Sequence, residues 1–126
     1  MFTHIPSSFS PTFSDAVVVA TGDFDTIYIS GQVGMDASGK ITAADFAAEA
    51  DACLANVSRA LERCGAGMTD VVRITAYLVD LNDYATYSKS RGKAFPGKPP
   101  ASATVQVAGL LLNARVEIDA VAVRRR

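Results

Sequence analysis

Residues 99–123, PPASATVQVAGLLLNARVEIDAVAV, decide how the rest of the chain is read. After the Pro96 to Pro100 loop the segment reads as two strands paired with each other, Ala103 to Val107 and Arg115 to Val123. Just upstream, Val71 to Val79, VVRITAYLV, is dense in β-branched and aromatic residues and reads as a central strand. Asp80-Leu81-Asn82-Asp83 between them offers N-cap chemistry for a helix that runs to about Phe95. Gly92 weakens that helix and Pro96 ends it.

A longer helix lies before the central strand. Thr42 with Asp45 marks its start, an acidic side chain suiting the positive helix end. Apolar residues then fall at Phe46, Ala50, Cys53, Leu54, Val57 and Leu61, which puts them on one helical face. Glu49, Asp51, Arg59, Glu62 and Arg63 are assigned to the other face, and Gly65 and Gly67 stop the helix. Further upstream, the apolar run Ala16 to Ala20, the Gly22-Asp23 turn and the alternating Thr26 to Ser30 form a hairpin. Gly31 and Gly34 interrupt its continuation, as at a bulge or a close backbone approach. The first fifteen residues have no periodicity and read as an extended arm.

The order is β-β-α-β-α-β-β, an α+β domain with one mixed sheet and two helices on one face. At 126 residues the chain holds a single domain over 1–126. Two helices leave the second sheet face uncovered. Strands such as VVRITAYLV and RVEIDAVAV are apolar on both sides of the pleat, so that face predicts an oligomer.

Composition excludes several functions. Hydrophobic residues make up 49% and charged residues 20%, with a mean hydropathy of +0.20, which excludes disorder. A net charge of −1 and a pI near 5.7 give no footprint for nucleic acid. No apolar run approaches the roughly 18 residues of a membrane span, and residues 1–20 lack a signal-peptide pattern, so a cytoplasmic protein is expected. Cys53 and Cys64 match neither a metal knuckle nor a redox pair and are expected as free thiols. The single histidine, His4, builds no metal site and no triad, and the Arg124-Arg125-Arg126 tail reads as a solvated end.

Five blocks resemble the RidA (YjgF) family of enamine and imine deaminases, in the family's order. They are Ser14-Asp15-Ala16-Val17, Ile29-Ser30-Gly31-Gln32, Leu54-Ala55-Asn56-Val57, Val79-Asp80-Leu81-Asn82-Asp83-Tyr84 and Val116 through Ala122. The resemblance spans roughly residues 10–125. It implies a chorismate-mutase-like fold, a homotrimer with clefts between subunits, and cofactor-free hydrolysis of small 2-enamines and 2-imines to a keto acid and ammonia. Such a site need only hold its substrate, orient water and assist proton transfer.

By the same resemblance, Glu117 falls on the family's site glutamate, the group that would position water. Read alone, it is an outward-facing strand charge. Ser30 falls on the site serine beside Gly31, where a small hydroxyl would meet a ligand; read alone, it is a strand-end serine. Ser102 stands where the family carries an arginine that clamps the substrate carboxylate, a contact a hydroxyl does not replace. Phe13 replaces a frequent tyrosine, Thr104 a frequent cysteine, and Gly109 and Leu111 the usual arginine and proline.

The resemblance therefore implies a more apolar and less cationic substrate-binding cleft around Phe13, Ser30, Gly31, Ser102 and Thr104. Lys98 and Arg73 are the cations weighed as substitutes for the arginine, and spacing alone brings neither into the cleft. Tyr77, Tyr84 and Tyr87 read as core or rim residues. The function expected is hydrolysis of an imine or enamine other than a simple 2-imino acid. The alternative is a non-catalytic trimer that binds an apolar metabolite, drawn from Phe13 and the Gly109 to Leu112 run. A ribonuclease gains little support from an acidic pI and one histidine.

Overall fold

The computed structural model describes all 126 residues. Strands β1 (Phe2–Pro6), β2 (Ser14–Thr21) and β3 (Phe24–Val33) precede helix α1 (Phe46–Arg63). Strand β4 (Val71–Leu78), helix α2 (Tyr84–Ala94), strand β5 (Ala101–Gln106) and strand β6 (Val116–Arg125) follow. The six strands form one mixed sheet in the order β1-β2-β3-β6-β4-β5, antiparallel throughout except for the β4–β5 pair. This is the α+β architecture expected, with one strand more.

That strand, β1, lies in the segment read as an arm. Phe2 to Pro6 pair with Val19 to Ser14 along the sheet edge. Its residues are exposed but for a half-buried Ile5, so no apolar alternation betrays it. Backbone hydrogen bonding, to which side-chain pattern is blind, makes it a strand.

The two strands of residues 99–123 do not pair with each other, since β4 lies between them. β4, α2 and β5 form a crossover unit, which sets β5 parallel to β4 on its outer side. β6 instead runs antiparallel between β3 and β4 at the centre of the sheet. The connection from β5 turns at Leu112 and Asn113, both with positive φ.

α1 forms where the periodicity places it. Asp45 is its N-cap, accepting from the Ala48 amide at 2.9 Å. Phe46, Ala50, Cys53, Leu54, Val57, Ala60 and Leu61 are buried together with Ile27 and Ile29 of β3, Ile74 and Leu78 of β4, and Val116 and Ile118 of β6. Glu49 is not on the polar face; it is 1% exposed. Its carboxylate accepts from the Arg115 amide at 2.7 Å and from Arg115 Nε at 2.6 Å, and so joins α1 to the start of β6. Burying a carboxylate is tolerable only because both oxygens are satisfied.

Gly34 makes this possible, because a Cβ there would lie 2.6 Å from the Glu49 carbonyl oxygen. The arginine tail is likewise structured. Arg124 and Arg126 pair with the buried Asp25 at 3.3 Å each, and Arg125 stacks on the Phe24 ring. Cys53 and Cys64 are free, the first buried and the second half-buried. No helix is long and apolar enough to cross a membrane.

Candidate functional site on the open sheet face

Alternation along β6 separates the two faces. Val116, Ile118, Ala120 and Ala122 are buried under the helices, while Glu117, Asp119, Val121 and Val123 face the other way and are only half-buried. Residues paired across the ladder share a face, so the open side can be followed row by row. One row runs Val17, Tyr28, Val121, Arg73, Ala101. Another contains Asp119, Thr75 and Ala103, and a third Glu117, Tyr77 and Val105.

The face is therefore not uniformly apolar, as the strand sequences suggested. It is valine-rich at one end, with Tyr28 51% exposed, and carries two carboxylates and a phenol at the other. On β4 the residues that face this side are Arg73, Thr75 and Tyr77, each of which presents a polar group to it.

Glu117 is placed by a bulge. The β3–β6 register shifts between Ile29 and Gln32, and the slack lays Gly31 against the glutamate. A Cβ at Gly31 would lie 2.5 Å from Glu117 Oε2 and 2.9 Å from Cδ, so only glycine leaves room for the carboxylate. Ser30, one residue earlier, donates to the Ser14 carbonyl oxygen at 2.5 Å, tying the bulge to β2. Phe13 precedes Ser14 and is 51% exposed. Gly31 and Glu117 are thus in contact, Ser30 adjoins them in the bulge, and Phe13 adjoins in sequence the residue that Ser30 bonds. His4, on strand β1, makes a 3.3 Å contact from Nδ1 to Ser14 Oγ.

The two carboxylates differ in their surroundings. Asp119 accepts the Tyr77 hydroxyl at 2.9 Å, and that bond raises the tyrosine's pKa. Glu117 takes no donor from its own chain. Partial burial, reinforced by the negative charge of Asp119, pushes its pKa above the ordinary value of 4.5. A carboxyl held this way is more basic than a free glutamate and has its lone pairs available, which is what positioning and deprotonating water requires.

Ser102 and Thr104 are not in this group. They pair with Ile74 and Ala76, both buried helix-side positions, so their side chains leave the sheet on the opposite face from Glu117. Of the cations weighed, Lys98 is exposed in the loop before β5. Arg73 is on the open face, but four residues from Tyr77 along β4, about 13 Å at the rise of a strand. Neither reaches Glu117 within one chain. The arginine that does touch Ser102 was not anticipated: Arg91 of α2 donates from Nη1 to Ser102 Oγ at 3.3 Å. Its signal in the sequence is faint, a spacing of four and three from Tyr84 through Ser88 to Arg91.

A family model described as Endoribonuclease L-PSP matches residues 8–124. The chain belongs to the RidA (YjgF) family. Among RidA relatives, a 2-iminobutanoate/2-iminopropanoate deaminase of Bos taurus is 42% identical, covering 94% of this chain and 84% of its own length. The Homo sapiens protein of the same name is 40% identical over the same shares.

Solved RidA-family structures match as well. The YjgF gene product from E. coli has a TM-score of 0.81 at 32% identity and covers 97% of this chain and 94% of its own. RidA from the Antarctic bacterium Psychrobacter has the same TM-score and identity, covering 94% and 93%. The mixed six-stranded sheet with two helices is thus the RidA fold.

Proposed function

We propose that the protein hydrolyses a small, reactive imine or enamine, with Glu117 positioning the attacking water. The observation that carries this is Glu117 itself: a raised carboxyl with free lone pairs, seated where Gly31 clears a space for it. Water adds to the C=N carbon as Glu117 takes up one of its protons. Glu117 hands that proton to the nitrogen, and the tetrahedral adduct breaks its C–N bond as its hydroxyl proton leaves with the nitrogen, giving ammonia and a carbonyl compound. The names of the Bos taurus and Homo sapiens relatives support an imine as substrate.

The site is proposed to form between copies of a homotrimer. Two features support this: exposed Tyr28 and Val105 on the uncovered sheet face, and the departure of Ser102 and Glu117 from opposite faces of one sheet. A cleft that holds both draws on two copies. Ser30 and Phe13 line the Glu117 side and Ser102 and Thr104 the other. Because position 102 carries no guanidinium, the substrate is proposed to differ from one that a strand-borne arginine would hold. The two free thiols suit a reducing compartment, and a cytoplasmic setting is proposed on that ground.

The test uses imines generated in situ, by an amino-acid oxidase for those with a carboxylate and an amine oxidase for those without, and captured by semicarbazide. Wild type lowers the semicarbazone yield and Glu117→Gln does not. A wild-type protein without effect on a panel of imines, with and without a carboxylate, ends the reading. The alternative of a non-catalytic binder is favoured by the exposed apolar loop, where Leu111 is 79% exposed. Apolar ligands that raise the melting temperature of a protein without turnover would select it.

A further inference from the structure

Tyr84, Ser88 and Arg91 follow one another at four and three residues, so their side chains rise from one face of α2. The Arg91 guanidinium donates to three hydroxyls. Nη2 reaches the Tyr84 hydroxyl at 3.0 Å and Ser88 Oγ at 3.2 Å, and Nη1 crosses to Ser102 Oγ on β5 at 3.3 Å. The charge also lies 5.5 Å from the Tyr84 ring centre and 5.2 Å from that of Tyr87. None of these partners is a carboxylate. The ion pairs of the chain engage Arg63, Lys93, Arg115, Arg124 and Arg126 instead.

Arg91 is therefore a half-buried cation, fixed in direction by four neighbouring residues and neutralised by none. Each hydroxyl that accepts from it keeps its own hydrogen to donate outward. The cluster offers a planar positive fork and three O–H donors around it, with no negative charge to complete it. Tyr87, whose ring underlies the guanidinium, is fully buried and its hydroxyl has no hydrogen-bond partner. A small carboxylate fits this arrangement, because it accepts two parallel N–H bonds and further donors at once.

We propose that Arg91, with Tyr84, Ser88 and Ser102, forms the anion subsite of the cleft and holds the carboxylate of a small imino acid or of its keto-acid product. This rests on the hydrolase reading above and gives the cleft a cation that residues 99–123 lack. The guanidinium reaches Ser102 from the helix rather than arising from the strand. The carboxylate it binds is set back toward α2, which alters the length and shape of substrate that spans to Glu117.

The probe is 2-oxobutanoate, titrated calorimetrically into wild type, Arg91→Met, Arg91→Lys and Ser102→Asp, with melting temperature measured for each. Arg91→Met is expected to weaken binding about tenfold or more, and Arg91→Lys to recover part of the loss. Ser102→Asp sets a carboxylate on the guanidinium without removing it and is expected to abolish binding in a folded protein. Butanone, which lacks the carboxylate, should show no dependence on residue 91.

A purely structural Arg91 would lower the melting temperature but leave the affinity of the folded protein unchanged. Equal affinity in wild type, Arg91→Met and Ser102→Asp, or no binding by wild type, overturns the proposal. Arg91-dependent binding in a protein without imine turnover would end the hydrolase reading and leave the subsite standing. Imine turnover unaffected by Arg91→Met would do the reverse.

Discussion

Gly31 lies against the Glu117 carboxylate so closely that a Cβ at position 31 would come within 2.5 Å of Oε2. The φ of Gly31 is not in the left-handed region, so the glycine is there for space rather than for backbone freedom. Gly31→Ala should fold, with a melting temperature within a few degrees of wild type, but must displace the carboxylate. A displacement near 1 Å corresponds to about a hundredfold loss in kcat/KM. The imine-capture assay and a thermal melt on the same preparation check both halves.

The raised pKa of Glu117 sets the sign of two pH effects. As a base it works ionised, so the acidic limb of kcat/KM should lie above the ordinary 4.5. Asp119→Asn removes the like charge and should move the limb down without returning it fully, because burial is the larger cause.

Stability follows the same shift. A carboxyl with a raised folded pKa stabilises the fold below its unfolded value, and that contribution is lost as pH rises through the folded value. Glu117→Gln escapes the loss. Its melting temperature should gain on wild type only as the pH climbs above 4.5, which a series of thermal melts measures.

Glu49 and Arg115 join α1 to the strand that carries Glu117, with one oxygen on the backbone amide and the other on Nε. Glu49→Ala leaves that amide without an acceptor and the partly buried guanidinium with only the Ala43 carbonyl, to which Nη2 donates at 3.2 Å. Removing one partner of a buried pair costs about 3 to 5 kcal/mol, and the half-exposed Arg115 places this one near ~3 kcal/mol. Urea unfolding measures the loss. Arg115→Lys, which keeps the amide bond and a charge, should lose less.

The contact of Arg91 with Ser102 changes what an arginine at 102 would do. Ser102→Arg alone sets two guanidinium groups together at the edge of the sheet, a repulsion of about 1 to 4 kcal/mol between the limits of bulk water and a protein surface. It should be less stable and no better with a 2-imino acid. Ser102→Arg combined with Arg91→Ser moves the cation to the strand and should turn over 2-iminobutanoate faster than Ser102→Arg alone. The semicarbazide assay on the three variants decides it.

Much of this was legible in residue patterns. The spacing from Phe46 to Leu61 marked α1 because a helix buried on one side must repeat its apolar residues every three to four positions. The density of VVRITAYLV marks β4, and Gly31 and Gly34 mark a bulge or close approach without naming their partners, Glu117 and Glu49. β1 was missed because an exposed edge strand is held by its backbone. Glu49 was misplaced because a charged residue is read as solvated unless its partner is seen, and Arg115 lies 66 residues away. The pairing of the strands in 99–123 was misread because the β4–α2–β5 crossover places β5 beyond β4, a matter of topology rather than composition.

The sequence by itself determined the alternation of strands and helices, the two helices of an α+β sheet, the family, and the carboxylate at position 117. Only the tertiary structure decided which groups meet: Gly31 with Glu117 through a register shift, Glu49 with Arg115 across the core, and Arg91 with Ser102 across the gap between a helix and an edge strand. Those distances depend on how the helices seat on the sheet, which is the collective outcome of packing every buried side chain. Periodicity records which face a residue takes. The neighbour on that face is chosen by the fold.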